Sequence, residues 1–99
     1  MIALTPRLLS VIAPCRNEAV FIDAFCDSVL RQQLPDGWHM EVLIADGRSD
    51  DGTRERLLKR CAHDARIVLV DNPGRIVSTG LNACIARAHD QGLTGDEAI

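Results

Sequence analysis

Three short segments of the chain are almost entirely apolar. They cover residues 8–13, 42–45 and 67–70, and none alternates cleanly between apolar and polar positions. A strand with one solvated face alternates with a period of two, whereas a strand covered on both faces reads as a continuous apolar run. The pattern therefore predicts three strands buried between two layers.

Each apolar run is followed by apolar residues spaced three or four apart, which is the period of a helix face. The stripes are Phe21, Ile22, Phe25, Val29 and Leu30, then Leu57, Leu58 and Cys61, then Val77, Leu81, Cys84, Ile85 and Ala88. Repeated βαβ units with doubly covered strands form parallel sheets with right-handed crossovers. We therefore predict an α/β fold, a parallel β-α-β-α-β-α arrangement in three layers.

The last eight residues depart from this pattern. Gly92 and Gly95 indicate a loop, and Ala98 and Ile99 predict the start of a fourth strand that is cut off as it begins. We find no internal repeat and no linker, and 99 residues are enough for one domain with a modest core.

Composition and charge exclude some classes of function. The formal net charge is -3, and the few aromatic residues lie in no basic stripe, so we expect no nucleic-acid partner. The N-terminus lacks a signal-peptide pattern, and no apolar run approaches the length of a membrane span. These observations predict a cytoplasmic location, or the cytoplasmic face of the membrane if a longer protein carries an anchor.

Four cysteines are present, at Cys15, Cys26, Cys61 and Cys84. No two form a Cys-x-x-Cys pair, and no histidine stands at metal-ligand spacing to them. Three of the four fall on predicted apolar faces, so we expect reduced, buried thiols that behave as small apolar side chains.

Polar and charged residues gather directly after the three predicted strands. In an open parallel sheet, ligands bind beyond the carboxyl ends of the strands. Each residue also has a simpler interpretation: Asn17 and Glu18 could open the first helix, Asp46 could form a turn, and Arg75 could be a surface residue. Asp51 or Ser49 is the candidate cap of the second helix. The candidate site residues are Pro14, Arg16, Asn17, Glu18, Asp46 and Arg75.

The combination of motifs is more specific than its parts. The chain contains Pro-x-Arg-Asn-Glu, Ala-Asp-Gly-Arg-Ser-Asp-Asp-Gly-Thr, Asn-Pro-Gly-Arg and Gly-Leu-Asn-Ala-x-Ile between residues 8 and 88. This set resembles family-2 glycosyltransferases of the GT-A fold, whose first half is Rossmann-like. The Asp-Gly-Arg-Ser and Asn-Pro-Gly-Arg motifs are most similar to those of the branch that builds succinoglycan and related bacterial exopolysaccharides.

The resemblance implies roles for particular residues. Pro14 and Glu18 would line the uridine part of a nucleotide-sugar, and Asp46 would accept a hydrogen bond from the ring N–H of the base. Arg75 would approach the base or the diphosphate. The implied activity is transfer of a sugar from a nucleotide donor, UDP-linked by this resemblance, to a saccharide or lipid-linked acceptor.

Two departures limit what is carried over. Gly47 replaces the second aspartate of the usual pair, and Cys84 replaces a usual glycine or alanine. The metal-binding Asp-x-Asp motif of the family would end the fourth strand, and residues 96–99 are too early to be that motif. We therefore assign no catalytic base and no metal ligand, and expect Mg or Mn only in a full-length enzyme. Residues 1–99 would be its N-terminal nucleotide-sugar-binding part, inactive alone.

Other classes of protein share this pattern. A dinucleotide-binding oxidoreductase is disfavoured because no Gly-x-Gly-x-x-Gly follows the first strand, and a nucleotidyltransferase because the basic glycine-rich loop is absent. A non-catalytic nucleotide-binding or assembly module remains an alternative. In such a module an exposed sheet edge would support self-association.

Overall fold

The computed structural model describes residues 7–90, with side chains from 8 to 87. Three strands alternate with three helices, as the apolar pattern predicts. The elements are β1 Arg7–Cys15, α1 Ile22–Leu30, β2 Trp38–Asp46, α2 Thr53–His63, β3 Ile67–Asp71 and α3 Val77–Asp90. The expected fourth strand and the side chain of Ala88 lie outside the described residues.

The three strands form one parallel sheet in the order β1-β2-β3. The central strand, β2, is buried continuously from Met40 to Asp46. Its neighbours on both sides and the helices above and below explain why its sequence does not alternate. The register pairs Cys15 with Asp46 and Asp46 with Asp71, so the three strands end level with one another.

Helices cover both faces of the sheet, which confirms the three-layer prediction. On one face, α1 and α2 enclose the larger core, which includes Cys26, Ile44 and Leu57. On the other face, α3 packs Cys84 against Leu43 and Ala45 in a smaller apolar core. The thiol of Cys84 donates to the carbonyl oxygen of Leu43 at 3.5 Å, so this residue is core in spite of its departure from the family pattern.

The predicted helix faces are only partly right. Four residues expected to face the sheet are exposed: Phe21, Leu58, Val77 and Ile85. Phe21 precedes α1, whose buried positions are Ile22 and Cys26. On α3 the buried positions are Gly80 and Cys84, two small residues that let the helix approach the strands closely.

The helix starts also differ from the predictions. Asn17 and Glu18 do not cap α1, because the helix begins at Ile22 and Phe21 occupies the N-cap position. The N-cap of α2 is Gly52, with a φ of 98°, and not Asp51 or Ser49. These polar residues are used in the loops instead.

All four cysteines are free. Cys26 and Cys84 are fully buried, as expected, whereas Cys15 and Cys61 are half-buried.

Candidate functional site

The polar residues at the strand ends come together along one edge of the sheet. Three loops meet there, after β1, β2 and β3, because the parallel strands end in register at Cys15, Asp46 and Asp71. Hydrogen bonds tie each loop to the next. The amide of Gly47 donates to the carbonyl of Cys15 at 2.8 Å, and the amide of Asn72 donates to the carbonyl of Asp46 at 3.0 Å.

The loop after β1 is held against the loop after β2 by Asn17, which is exposed and has a φ of 54°. Its amide donates to the hydroxyl of Ser49 at 2.8 Å, and its side-chain oxygen accepts from the amide of Asp50 at 2.9 Å. The amide of Glu18 donates to the hydroxyl of Thr53 at 2.9 Å. The function of Asn17 visible in the structure is therefore to join two loops.

Asp51 completes this junction between the two loops. One carboxylate oxygen accepts from the amide of Ala19 at 3.2 Å, and the other accepts from the amide and hydroxyl of Thr53. These bonds lower the pKa of Asp51, the hydroxyl of Thr53 contributing most. Asp51 is thus a structural residue of the junction.

Asp46 is fully buried at the centre of the site. Its Oδ1 accepts from the hydroxyl of Ser49 at 2.5 Å and from the thiol of Cys15 at 3.9 Å. Its Oδ2 accepts from Nε of Arg54 at 2.7 Å and from the amide of Ser49 at 3.3 Å. The bond from the Ser49 amide is the turn expected of an aspartate at a strand end, so Asp46 forms the turn that the simpler interpretation predicted.

Arg54 is a functional candidate that sequence reasoning missed. Its guanidinium bridges the ends of β2 and β3, since Nε donates to Asp46 and Nη2 donates to Asp71 at 2.7 Å. A signal was present in the sequence: a basic residue in the first turn of a helix opposes the helix dipole. Such a residue is stabilised there by carboxylates, and two aspartates end the adjacent strands.

Asp71 is half-exposed, and arginines approach it from two sides. Arg54 donates to Oδ1, and Nη2 of Arg48 lies 3.6 Å from Oδ2. These neighbours hold the pKa of Asp71 below its ordinary value, the hydrogen bond from Arg54 contributing most. The edge therefore carries an alternating pattern of carboxylates and guanidiniums.

Arg75 lies in the loop after β3, with a φ of 64° and an exposed side chain. Its amide donates to the carbonyl of Asn72, a buried residue whose side chain bonds Thr79 and the carbonyl of Ile76. The backbone of Arg75 passes so close to Gly47 that a Cβ there would lie 3.3 Å from it. The glycine that replaces the usual second aspartate thus permits this contact between loops.

The six candidate residues fall into two groups. Pro14 and Asp46 are packed into the end of the sheet, Pro14 against Gly80 of α3. The other four are exposed, and the described side chains offer the guanidiniums of Arg16 and Arg75 no hydrogen-bond or ion-pair partner. The exposed members are Arg16, Asn17, Glu18 and Arg75.

A pocket of about 220 Å³ opens between the end of β1 and the start of α1. The thiol of Cys15 lies in the wall of this pocket. Its pKa is raised to about 12, mainly by burial and then by the nearby carboxylate of Asp46. The pocket is mostly apolar and is lined by Ala13, Pro14, Cys15, Glu18, Phe21, Ile22, Phe25 and Ile44.

The carboxylates of this edge do not fit a divalent cation. Asp46 is surrounded by hydrogen-bond donors, and Asp71 faces two guanidiniums, whose charge opposes that of a metal ion. Among residues 7–90, no group of three or more histidine, cysteine, aspartate or glutamate side chains could hold a metal.

Comparison with known families identifies the fold. Residues 10–94 match the model of Glycosyl transferase family 2. The chain belongs to this family. The resemblance seen in the sequence motifs is therefore confirmed.

Two related proteins place the chain within glycosyl transferase family 2. It is 37% identical over 83 residues to the succinoglycan biosynthesis protein ExoA of Rhizobium meliloti (strain 1021), covering 84% of this chain and 24% of that protein. It also superposes, with a TM-score of 0.70 and 29% identity, on the mannosyltransferase PcManGT from Pyrobaculum calidifontis, solved in complex with GDP-Man and Mn2+. That match covers 86% of this chain and 25% of the other.

The chain thus spans about a quarter of the length of the relatives it matches. The described helices include none that is long and apolar enough to cross a membrane.

Proposed function

We propose that residues 1–99 are the N-terminal nucleotide-sugar-binding part of a glycosyltransferase that acts in polysaccharide or cell-envelope synthesis. Membership of glycosyl transferase family 2 and the likeness to an exopolysaccharide protein support this. The observation that carries it is the gathering of the family-like motifs at one edge of the sheet, where parallel α/β folds bind ligands.

The proposed binding residues are Pro14, Arg16, Asn17, Glu18, Asp46 and Arg75. Arg16 and Arg75 are exposed and lack partners among the described side chains, so both can offer planar donor groups to a diphosphate. The apolar wall of the pocket beside Pro14 suits the face of a nucleobase.

The base is proposed to be uracil, since the sequence motifs resemble those of UDP-sugar enzymes. Guanine is the competing base, because the solved relative holds GDP-Man. Calorimetric titration of the chain with UDP and with GDP decides between them. Tighter binding of GDP would overturn the uracil assignment and leave nucleotide binding intact.

Asp46 is the residue on which the proposal can be tested most directly. Asp46→Ala is expected to weaken nucleotide binding by about 1–3 kcal/mol, the scale of a lost charged hydrogen bond. Because Asp46 is also buried, Asp46→Asn keeps its shape, and circular dichroism must first report a folded variant. Asp36→Ala, in an exposed turn at the other end of β2, is the matched control. Unchanged affinity in the Asp46 variants would mean that Asp46 is a turn residue only.

We further propose that a divalent cation, Mg or Mn, and the saccharide or lipid-linked acceptor are bound by residues of a longer protein. The Mn2+ in the solved relative supports a cation. The 99-residue chain is then inactive alone, and measurable sugar transfer by the purified chain would refute this. We propose a bacterial source and a cytoplasmic location, or the cytoplasmic face of the membrane.

A second candidate function is a non-catalytic nucleotide-binding or assembly module. Exposed Val20 and Phe21 lie next to the apolar pocket, and β1 forms one edge of the described sheet. Both features favour self-association through this side of the molecule. Sedimentation of the chain over a range of concentrations tests it. Dimers that form in the absence of any nucleotide binding would favour this second function over the first.

A further inference from the structure

The carboxylate of Asp46 has no acceptor position to spare. An ionised carboxylate offers about four lone-pair sites. Ser49 and Cys15 take Oδ1, while Arg54 and the amide of Ser49 take Oδ2. The residue is also fully buried. A nucleobase N–H therefore cannot bond Asp46 unless one of these donors leaves.

Two of the three neighbouring residues are fixed in place. Ser49 is held from the other side by the amide of Asn17, so its movement would open the junction between the first two loops. Cys15 belongs to β1, and its position is set by the ladder to β2. Displacing either would cost hydrogen bonds that the nucleotide does not replace.

Arg54 differs from both of them. It lies at the rim of the site, with 32% of its side chain exposed, and it already bonds a second carboxylate, that of Asp71. Asp71 is 48% exposed and stands beside Asp46 in the sheet register. Rotation of the guanidinium toward Asp71 would keep its charge paired and would leave a positive charge close to Asp46.

We propose that Arg54 is the exchangeable partner of Asp46: it withdraws to Asp71 when a nucleotide binds, and a ring N–H of the base takes its place at Oδ2. This inference rests on the proposed nucleotide-binding function and adds a step to it. One charge-assisted hydrogen bond is exchanged for another, so Arg54 lowers the affinity for nucleotide while keeping the buried carboxylate paired in the free protein.

The first test follows the side chain of Arg54 directly. The Nε–H resonance of Arg54 is assigned in the ¹⁵N-labelled chain by its loss in Arg54→Lys, and UDP and GDP are then titrated separately. We expect the resonance to shift, and its hydrogen exchange to accelerate, in step with binding. Binding that leaves this resonance unchanged would overturn the exchange and leave the proposed function standing. Absence of binding by both nucleotides would overturn both.

The second test compares two variants of equal charge. Arg54→Met removes the competitor but keeps its apolar stem, whereas Arg48→Met removes a guanidinium that is paired with Asp71 and, among the described side chains, with no other carboxylate. Both lose one positive charge, so general attraction of the diphosphate falls equally. We expect Arg54→Met to bind the nucleotide about tenfold more tightly than Arg48→Met, which is about 1.4 kcal/mol. Equal or weaker binding would show that Arg54 positions Asp46 and does not compete for it. If Arg54→Met fails to fold, the resonance test decides alone.

Discussion

Gly80 determines how closely α3 approaches the sheet, and the substitution Gly80→Ala tests this contact. A Cβ at position 80 would lie 2.8 Å from Cβ of Pro14, 2.9 Å from Nδ2 of Asn72 and 3.4 Å from Cβ of Ala45. Carbon atoms prefer separations of about 3.5–4.0 Å. Pro14 and Ala45 are short side chains on strands, so neither can rotate away, and the helix must shift instead.

The expected magnitude is the difference between two opposing effects. Glycine to alanine in a helix interior stabilises by about 1 kcal/mol through helix propensity alone. Overpacking a close contact costs about 1–3 kcal/mol. We therefore expect Gly80→Ala to change the free energy of unfolding by between zero and about -2 kcal/mol. Helix propensity alone would raise it by about 1 kcal/mol, so the deficit caused by the contact is about 1–3 kcal/mol.

Urea denaturation followed by circular dichroism measures this difference. Ala86→Gly, at an exposed position of the same helix, is the control that reports the propensity effect without a contact. With an m-value of about 1 kcal/mol per M, the deficit corresponds to about 1–3 M urea in the midpoint. If Gly80→Ala stabilises by as much as Ala86→Gly destabilises, the contact with Pro14 does not limit the approach of α3.

Two further predictions concern ionisable groups. Because the pKa of Cys15 is raised to about 12, mainly by burial and then by Asp46, iodoacetamide at pH 9 should alkylate it far more slowly in the native chain than in urea. Asp46→Asn should speed the alkylation, because it removes a negative charge beside the thiol. The free energy of unfolding should fall as the pH rises from 9 toward 12, since the unfolded chain loses the Cys15 proton first. Equal alkylation rates in the native chain and in urea would contradict this. Arg60 donates a hydrogen bond to Asp23 and lowers the pKa of that carboxyl group from 3.8. The ion pair therefore stabilises the folded chain above pH 3.8 and less below it. Arg60→Ala also removes the bond from Arg60 to Asp27, and it should cost about 0.5–1 kcal/mol at pH 7 and less as the pH falls below 3.8. A cost independent of pH would count against these ion pairs.

The order and type of the elements could be predicted because buried parallel strands and amphipathic helices leave different periods in the sequence. The start of β2 could not. Polar Glu41 interrupts the apolar run, and only the structure shows that it accepts a 2.9 Å hydrogen bond from Ser10 of β1. The faces of the helices were partly wrong for a related reason. Hydropathy marks large apolar residues, whereas α3 buries Gly80 and Cys84 because they are small.

The location of the candidate site could also be predicted, since strand ends in a parallel sheet collect at one edge. What escaped prediction was the pairing between elements. Asp46 was recognised as a strand-end carboxylate, but its bond to Arg54 joins residues whose adjacency depends on how α2 lies over β2 and β3. The pairing of Arg48 with Asp71 escaped for the same reason, because it forms only when the loops are brought together.

The turn that leads into β2 has a chemical consequence for the lifetime of the protein. Asp-Gly pairs degrade when the glycine amide attacks the aspartate carboxyl group to form a succinimide. At Asp46 the carboxylate is held by several donors and the amide of Gly47 bonds the carbonyl of Cys15. Asp36 precedes Gly37 in an exposed turn, where no described side chain restrains it. Asp51, which precedes Gly52, is also restrained, because its carboxylate accepts from the amides of Ala19 and Thr53. Isoaspartate formation during storage is thereby directed to Asp36 at the entrance of β2, away from the site at the other end of the same strand.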